Sequence, residues 1–348
     1  MKKTKNLIAL LMVFALAFAC FSCGEKEDGS SGSSETEKTV TIHMGGGLTK
    51  QSPQYPVLEE FKKDVEEQSG GTIQISLDLS GALGSDREVI EGVMGGSIQM
   101  MHMADISIGS VITKLGYVNL PYLFPTREDA EKIYLYGWMG EAYKKTMEEN
   151  GMKVLGQLLE GDFRWMTNSK HAIQTPADLK GLKIRVVETP MYVSFFQEIG
   201  TNPVGMSVSE VASALQQGVI DGQDNGPLNT YFYGFYEFQK YLTKTNHAYA
   251  ANMLVINKAL FESMSENQQK ILTDCADKYT AKMYEAQLAA IDGFCDEMAE
   301  AGTELLDSTE ELDSFLKDAA VKVWDDEEIT GVYDQEVMKK IREELGVQ

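Results

Sequence analysis

The segment KIRVVETPMYVSFFQEIGTNPVGMSVSEVASALQQGVIDGQDN, Lys183 to Asn225, decides the fold. Lys183 to Val187 reads as a short strand rich in β-branched residues. Thr189 then caps a helix with Pro190 at its first position, running to Ile199 and stopping at Gly200. NPVGM is a second short strand. Ser207 and Glu210 have the spacing of a capping box, and Val208, Val211, Ala212 and Leu215 share one helical face. Gly218 ends that helix and VIDG begins a third strand. Strand–helix–strand–helix–strand with short links implies right-handed crossovers and a parallel sheet, so the fold class is α/β.

Working outward, the same punctuation recurs upstream. SDREVIEGVMGGSIQ, starting at Ser85, and SVSEVASALQQGVID, starting at Ser207, share Ser-x-x-Glu-Val, a glycine eight residues after the glutamate, and then x-Ile. Two lobes carrying one helix–strand unit each account for the echo. Val40, Ile42 and Met44 alternate with polar residues as in a half-buried strand, as do Ile73, Ile75, Leu77 and Leu79. Between them a helix begins after Pro56, with Leu58, Phe61 and Val65 on one face. SIQMMHM, KVLGQLL and FRWMTNS are further strand candidates. From Ser265 to Ala301 the chain forms helix with a weak point at Gly293, and the tail beyond is acidic and amphipathic.

The 348 residues suffice for two domains, and 43% hydrophobic with 24% charged residues is ordinary for a globular chain. A net charge of −22 argues against nucleic acid as a partner and makes well-placed arginines informative. Lys2, Lys3 and Lys5 precede an apolar run from Leu7 to Ala19, the layout of a secretory signal and too short to span a bilayer. Residues 1–22 are therefore expected to be a signal peptide, with Cys23 the lipidated cysteine and 23–38 a flexible tether; Cys20 is the alternative, and plain secretion the simpler case. Cys275 and Cys295 lie too far apart on one helix for a disulfide.

No catalytic constellation, metal site or cofactor motif stands out. His43, His102, His171 and His247 lie apart, and His43 and His102 read as satisfied core histidines in apolar strands. In MMHM alternate residues face opposite ways, so the run cannot converge on copper. YFYGFYEFQKY, Tyr231 to Tyr241, reads as packing rather than sugar stacking. DGQDNGPLN, Asp221 to Asn229, is polar and follows a strand, where ligands of open α/β sheets bind; Asn225 offers a donor and an acceptor there. Arg185 sits within a strand, at a desolvation cost that an anion can offset, and its planar fork matches a carboxylate. Arg164 flanks the same region. A salt bridge from either arginine to an acid of the chain, such as Asp162 or Glu188, is the competing explanation.

GDFRWMTNSKHAIQTPADLKGLKIRVVETP, followed by GTNPVGMSVSEVASALQQGVIDGQDN, resembles the extracytoplasmic substrate-binding subunit of TRAP (tripartite ATP-independent periplasmic) transporters. The likeness runs from about Val40 to about Gly302, through LSGALGSDREVIEGVMGGSIQMM, NLPYLFP and FYEFQKYLTKTNHAY. The resemblance implies a two-lobed periplasmic-binding-protein-like fold with mixed or parallel sheets, crossing hinge segments and a long helix along both lobes. Lobe I is expected at 39–161 plus about 250–290, and lobe II at 162–249 plus about 291–348. It implies a monomeric binding protein, not an enzyme, lipid-anchored outside the cytoplasmic membrane or periplasmic, that passes a small carboxylate ligand to ion-gradient-driven membrane subunits. Arg185 is implied to grip the carboxylate, Arg164 to assist, and Asn225 and Asp105 to contact ligand. Val208 stands where the family commonly has an aromatic residue, and Gly226 intervenes between Asn225 and Pro227. A sugar acid such as a uronate suits that pocket; a C4-dicarboxylate, or presentation to a receptor kinase, is the alternative.

Overall fold

The computed structural model describes residues 37–345. The expected signal segment, Cys20 and Cys23 lie outside them. Among the described residues, eleven strands form two mixed sheets. The first sheet holds β1 (Val40–Gly45), β2 (Ile73–Asp78), β3 (Met100–Ala104), β4 (Met152–Leu159) and β10 (Ala251–Asn257), in the order β2-β1-β3-β10-β4. The second holds β5 (Trp165–Asn168), β6 (Lys183–Val186), β7 (Asn202–Gly205), β8 (Gly222–Asn225), β9 (Tyr241–Lys244) and β11 (Glu304–Asp307), in the order β11-β9-β5-β8-β6-β7. This is the expected two-lobed α/β fold.

Up to its last strand the deciding segment folds as its sequence predicts. β6 pairs in parallel with β7 on one side and β8 on the other. Thr189 caps the Pro190–Glu198 helix, its side chain accepting from the Tyr192 N–H. Ser207 and Glu210 close a capping box on the Val208–Gln216 helix. Ser85 and Glu88 do the same for the Asp86–Gly95 helix of the first sheet. The echo is therefore structural: each sheet carries a short capped helix that begins with the same chemistry.

Two crossing segments connect the sheets. Residues 160–164 run from β4 to β5, and 245–250 run from β9 back to β10. The Glu266–Glu300 helix is one unbroken element through Gly293, about 52 Å long at 1.5 Å per residue. It packs on the Tyr55–Gln68 helix of the first lobe and, further along, stacks Phe294 on Tyr231 at 4.0 Å. Cys275 and Cys295 are free thiols on this helix. The acidic tail makes contacts beyond the second sheet. The Tyr333 ring lies against Gly116, and Trp138 Nε1 donates to Glu344 at 2.7 Å.

The two strand histidines depart from expectation. His43 points to solvent from β1, and its Nδ1 pairs with Asp78 at 2.7 Å. Strand alternation, with Ile42 and Met44 inward, puts it outside. His102 is buried in β3, but its Nε2 has no partner among the described residues. Burial depresses its pKa to about 4, so it is neutral at physiological pH.

A buried carboxylate and two arginines between the sheets

A narrow cavity lies between the two sheets. Gly47, Leu48 and Asp86 bound it from the first sheet, and Arg185, Val208 and Asn225 from the second. Glu160 and Arg164, from a crossing segment, lie between. Asp86 and Val208 are the first residues of the two echoed helices, so the sequence repeat converges on this one space. At the mouth the lobes touch: Thr49 Oγ1 donates to the Phe232 carbonyl at 3.2 Å.

Arg185 reaches the cavity from β6 and is only 3% exposed. Its Nε and Nη2 donate to the Met206 carbonyl at 3.0 and 2.8 Å. No carboxylate of the described residues lies within ion-pair distance, and Nη1 donates no hydrogen bond among them. Burial lowers its pKa to about 10, with Asp224 opposing the shift. A guanidinium held by one carbonyl, with a nitrogen to spare beside a cavity, has the chemistry to pair with an anion.

Arg164 is different. It is 1% exposed; its Nε donates to Asp224 Oδ2 at 2.7 Å and its Nη2 to the Asp224 carbonyl at 2.7 Å. Nη1 lies 3.5 Å from Glu160, and the guanidinium sits over the Tyr192 ring. Neither Asp162 nor Glu188 is its partner; Asp162 pairs with Arg127. His247 Nε2 also approaches Asp224 Oδ2 at 3.3 Å. Burial penalises the Asp224 carboxylate, but Arg164 and His247 hold its pKa well below the usual range.

Asp221 to Asn229 is not a loop following a strand. Gly222 to Asn225 is the strand itself, buried along its length. Asn225 donates to Gln223 Oε1 at 2.6 Å and accepts from Asn229 at 3.4 Å. Asn229 in turn donates to Glu160 Oε1 at 2.7 Å. Gly226 is required there, because a Cβ would meet the Gly161 carbonyl at 2.3 Å.

Asp105 does not line the cavity. Its Oδ1 accepts from Asn119 at 2.9 Å, and its Oδ2 accepts from Tyr134 at 2.8 Å and the Ala251 N–H at 3.0 Å. It is a fully buried acid that ties the Asp105–Val111 helix to β10, and burial raises its pKa to about 6. The structure thus brings Arg185, Arg164 and Asn225 together and leaves Asp105 outside.

The sequence reading did not single out Asp86 and Glu160. Half-buried Asp86 accepts from Ser107 Oγ at 2.7 Å through Oδ2, and burial raises its pKa, with Arg185 opposing. Glu160 is 8% exposed and its pKa is pushed up to about 7 by burial, against the pull of Arg164. Its one sequence signal is its place four residues before Arg164, at the end of an apolar strand. Among the aromatics from Tyr231 to Tyr241, Phe232 and Tyr233 line the cavity, while Tyr231 packs on Tyr236 and Phe294.

A family model described as bacterial extracellular solute-binding protein, family 7, matches residues 44–329. The 2,3-diketo-L-gulonate-binding periplasmic protein YiaO of Escherichia coli (strain K12) is 34% identical over 269 residues, 76% of this chain and 80% of that protein. The solved sugar acid binding protein DctPAm from Advenella mimigardefordensis strain DPN7T, in complex with galactonate, superposes with a TM-score of 0.82 at 26% identity, over 88% of this chain and 98% of that one. A TRAP periplasmic solute binding protein from Haemophilus influenzae RdAW with bound L-gulonate gives 0.80 at 27% identity, over 87% and 99%. No helix among the described residues is long and apolar enough to cross a membrane. With the family model matched over residues 44–329 and solved members superposing over most of their length, the chain belongs to the bacterial extracellular solute-binding protein family 7, the solute-binding subunits of TRAP transporters.

Proposed function

We propose that this protein captures a sugar acid between its lobes and delivers it to TRAP membrane subunits. The observation that carries the reading is Arg185, a buried guanidinium beside the cavity whose Nη1 has no partner among the described residues. The ligand carboxylate takes that nitrogen, and the remaining N–H groups of Arg164 orient it. Asn225 and Asn252, both on the wall, supply amide donors and acceptors for hydroxyls. Relatives that bind 2,3-diketo-L-gulonate, galactonate and L-gulonate support the solute class.

Closure follows from the same geometry. A solute touching 39–161 with about 250–290 on one side, and 162–249 with about 291–348 on the other, stabilises only the closed arrangement. Binding without turnover is the function, in a monomer held to the outer face of the membrane by lipid on Cys23. Isothermal calorimetry with D-galactonate, L-gulonate and D-glucuronate tests the reading. The native protein is expected to bind at least one of them, and Arg185→Lys to lose that binding with its fold intact. Undiminished affinity in the variant would rule out the role given to Arg185.

A further inference from the structure

Charge on the cavity wall is unevenly matched. Besides His102 and Tyr233, its ionisable side chains are Arg164, Arg185, Asp86 and Glu160. Arg164 is committed to Asp224. Arg185 is then the one cation among the described lining residues without an acid partner, and it faces two acids. Asp86 uses Oδ2 for Ser107, while Oδ1 has no hydrogen bond among the described residues and lies near Gly47 at the mouth. Glu160 gives Oε1 to Asn229, and its Oε2 is a long 3.5 Å from Arg164.

We propose that Asp86 and Glu160 form an acidic wall that restricts the cavity to solutes with one carboxylate and several hydroxyls, and rejects the matching dicarboxylates. The proposal rests on the function proposed above and names the residues that set its selectivity. Carboxylate oxygens accept from hydroxyl donors and have no donor to offer a second carboxylate. Like charges about 6 Å apart at an effective dielectric of about 20 cost roughly a hundredfold in affinity. A solute with one carboxylate on Arg185 leaves its hydroxyl chain for the acids. An aldarate, carboxylate at both ends, places its second charge on the acids with no free cation near it.

Glu160 also gives the wall a pH dependence. The groups that face it are Arg164 in its own segment, Asp86 and Asp105 from the first sheet's side, and Tyr192 and Tyr233 from the second. Arg185, Asp224 and His247 lie behind Arg164 and across the cavity. The acids and the burial favour the neutral carboxyl, and Arg164 favours the charged one. Below neutrality the wall loses one charge, and discrimination against a dicarboxylate weakens.

The test compares acids that differ only in whether the far carbon is a hydroxymethyl group or a carboxylate: D-galactonate against galactarate, and L-gulonate against D-glucarate. Calorimetry at pH 8 is expected to show each aldonate bound about a hundredfold tighter than its aldarate, and Asp86→Asn or Glu160→Gln to shrink that gap about tenfold. Aldarate bound as well as aldonate by the native protein overturns the proposal. A gap unchanged in both folded variants overturns the assignment to these residues. Should either variant fail to fold, the native protein titrated from pH 8 to pH 6 carries the test. A narrowing gap supports the role of Glu160, and a constant one removes it. Binding of neither class overturns the function reading itself, an outcome distinct from aldonate and aldarate binding alike.

Discussion

Arg164 and Asp224 form a closed ion pair, with Nε donating to Oδ2 and Nη2 to the same residue's carbonyl, both at 2.7 Å. Asp224 lies on β8 beside Arg185's strand, and it pairs with only one of the two arginines. The pair neutralises Arg164, while Arg185 lines the cavity with no acid partner among the described residues. On the function proposed above, a carboxylate entering the cavity would meet one available positive charge, with the second guanidinium fixed beside it.

Asp224→Asn is expected to be strongly destabilising. Both partners are essentially inaccessible to water, at 1% and 0% exposure, so removing the acid strands a buried guanidinium. Breaking such a pair costs about 3–5 kcal/mol. Urea unfolding at pH 7 measures it, and a loss below about 1 kcal/mol would mean that Arg164 finds another partner or water.

Arg185→Met is expected to act the opposite way on the empty protein. Burial lowers the Arg185 pKa to about 10. A base with a depressed folded pKa is charged at a cost at every pH below that value, here about 3 kcal/mol. A methionine of similar length removes that cost. The variant should unfold at higher urea than the native protein while binding no acid. A variant that is less stable and still binds would show Arg185 to be a structural residue.

Much of this was legible because local signals agreed with the tertiary fold. Thr189-Pro190, Ser207 with Glu210, and Ser85 with Glu88 mark helix starts through hydrogen bonds made within four residues, and all three caps formed. Side-chain destinations set by distant neighbours were harder to read. Glu160 differs from any surface glutamate only because Asn229 and Arg164 converge on it in space. Asp105 follows β3 toward the cleft, but Asn119, Tyr134 and the Ala251 amide use its oxygens one layer away. Asp221 to Asn229 reads as a polar segment beyond a strand because partners such as Thr167 for Gln223 come from across the sheet.

Val208→Phe is expected to close the site. Val208 begins the Val208–Gln216 helix on the cavity wall, and its Cγ1 lies 3.5 Å from where a Cβ on Gly47 would be. The opposite lobe is therefore already near. A phenyl ring has two destinations, the cavity or the contact between lobes. Either lowers affinity, at about 1–3 kcal/mol for an overpacked site, or roughly tenfold to a hundredfold in Kd. Helix propensity at this capped position changes little, so the melting temperature should stay within a few degrees of the native value. Retained affinity would show that the wall at Val208 has room for an aromatic.

Glu160→Gln is expected to change how stability depends on pH. The Glu160 pKa rises from 4.5 to about 7 on folding, so between those values the folded state holds a proton that the unfolded state has released. Stability from this group is therefore greatest below pH 4.5, falls as pH rises to about 7, and is level above, a loss of about 3 kcal/mol. Asp105, raised to about 6, adds a loss of the same sign that ends sooner. His102 and His247 are depressed by burial and push the other way as they lose their protons. Those contributions are common to both proteins and cancel in the difference between native and variant unfolding free energies. Measured in urea at pH 5 and pH 8, that difference should shift by about 2–3 kcal/mol toward the glutamine variant at the higher pH. A flat difference would mean that Glu160 ionises as an ordinary glutamate, with water or Arg164 offsetting its burial.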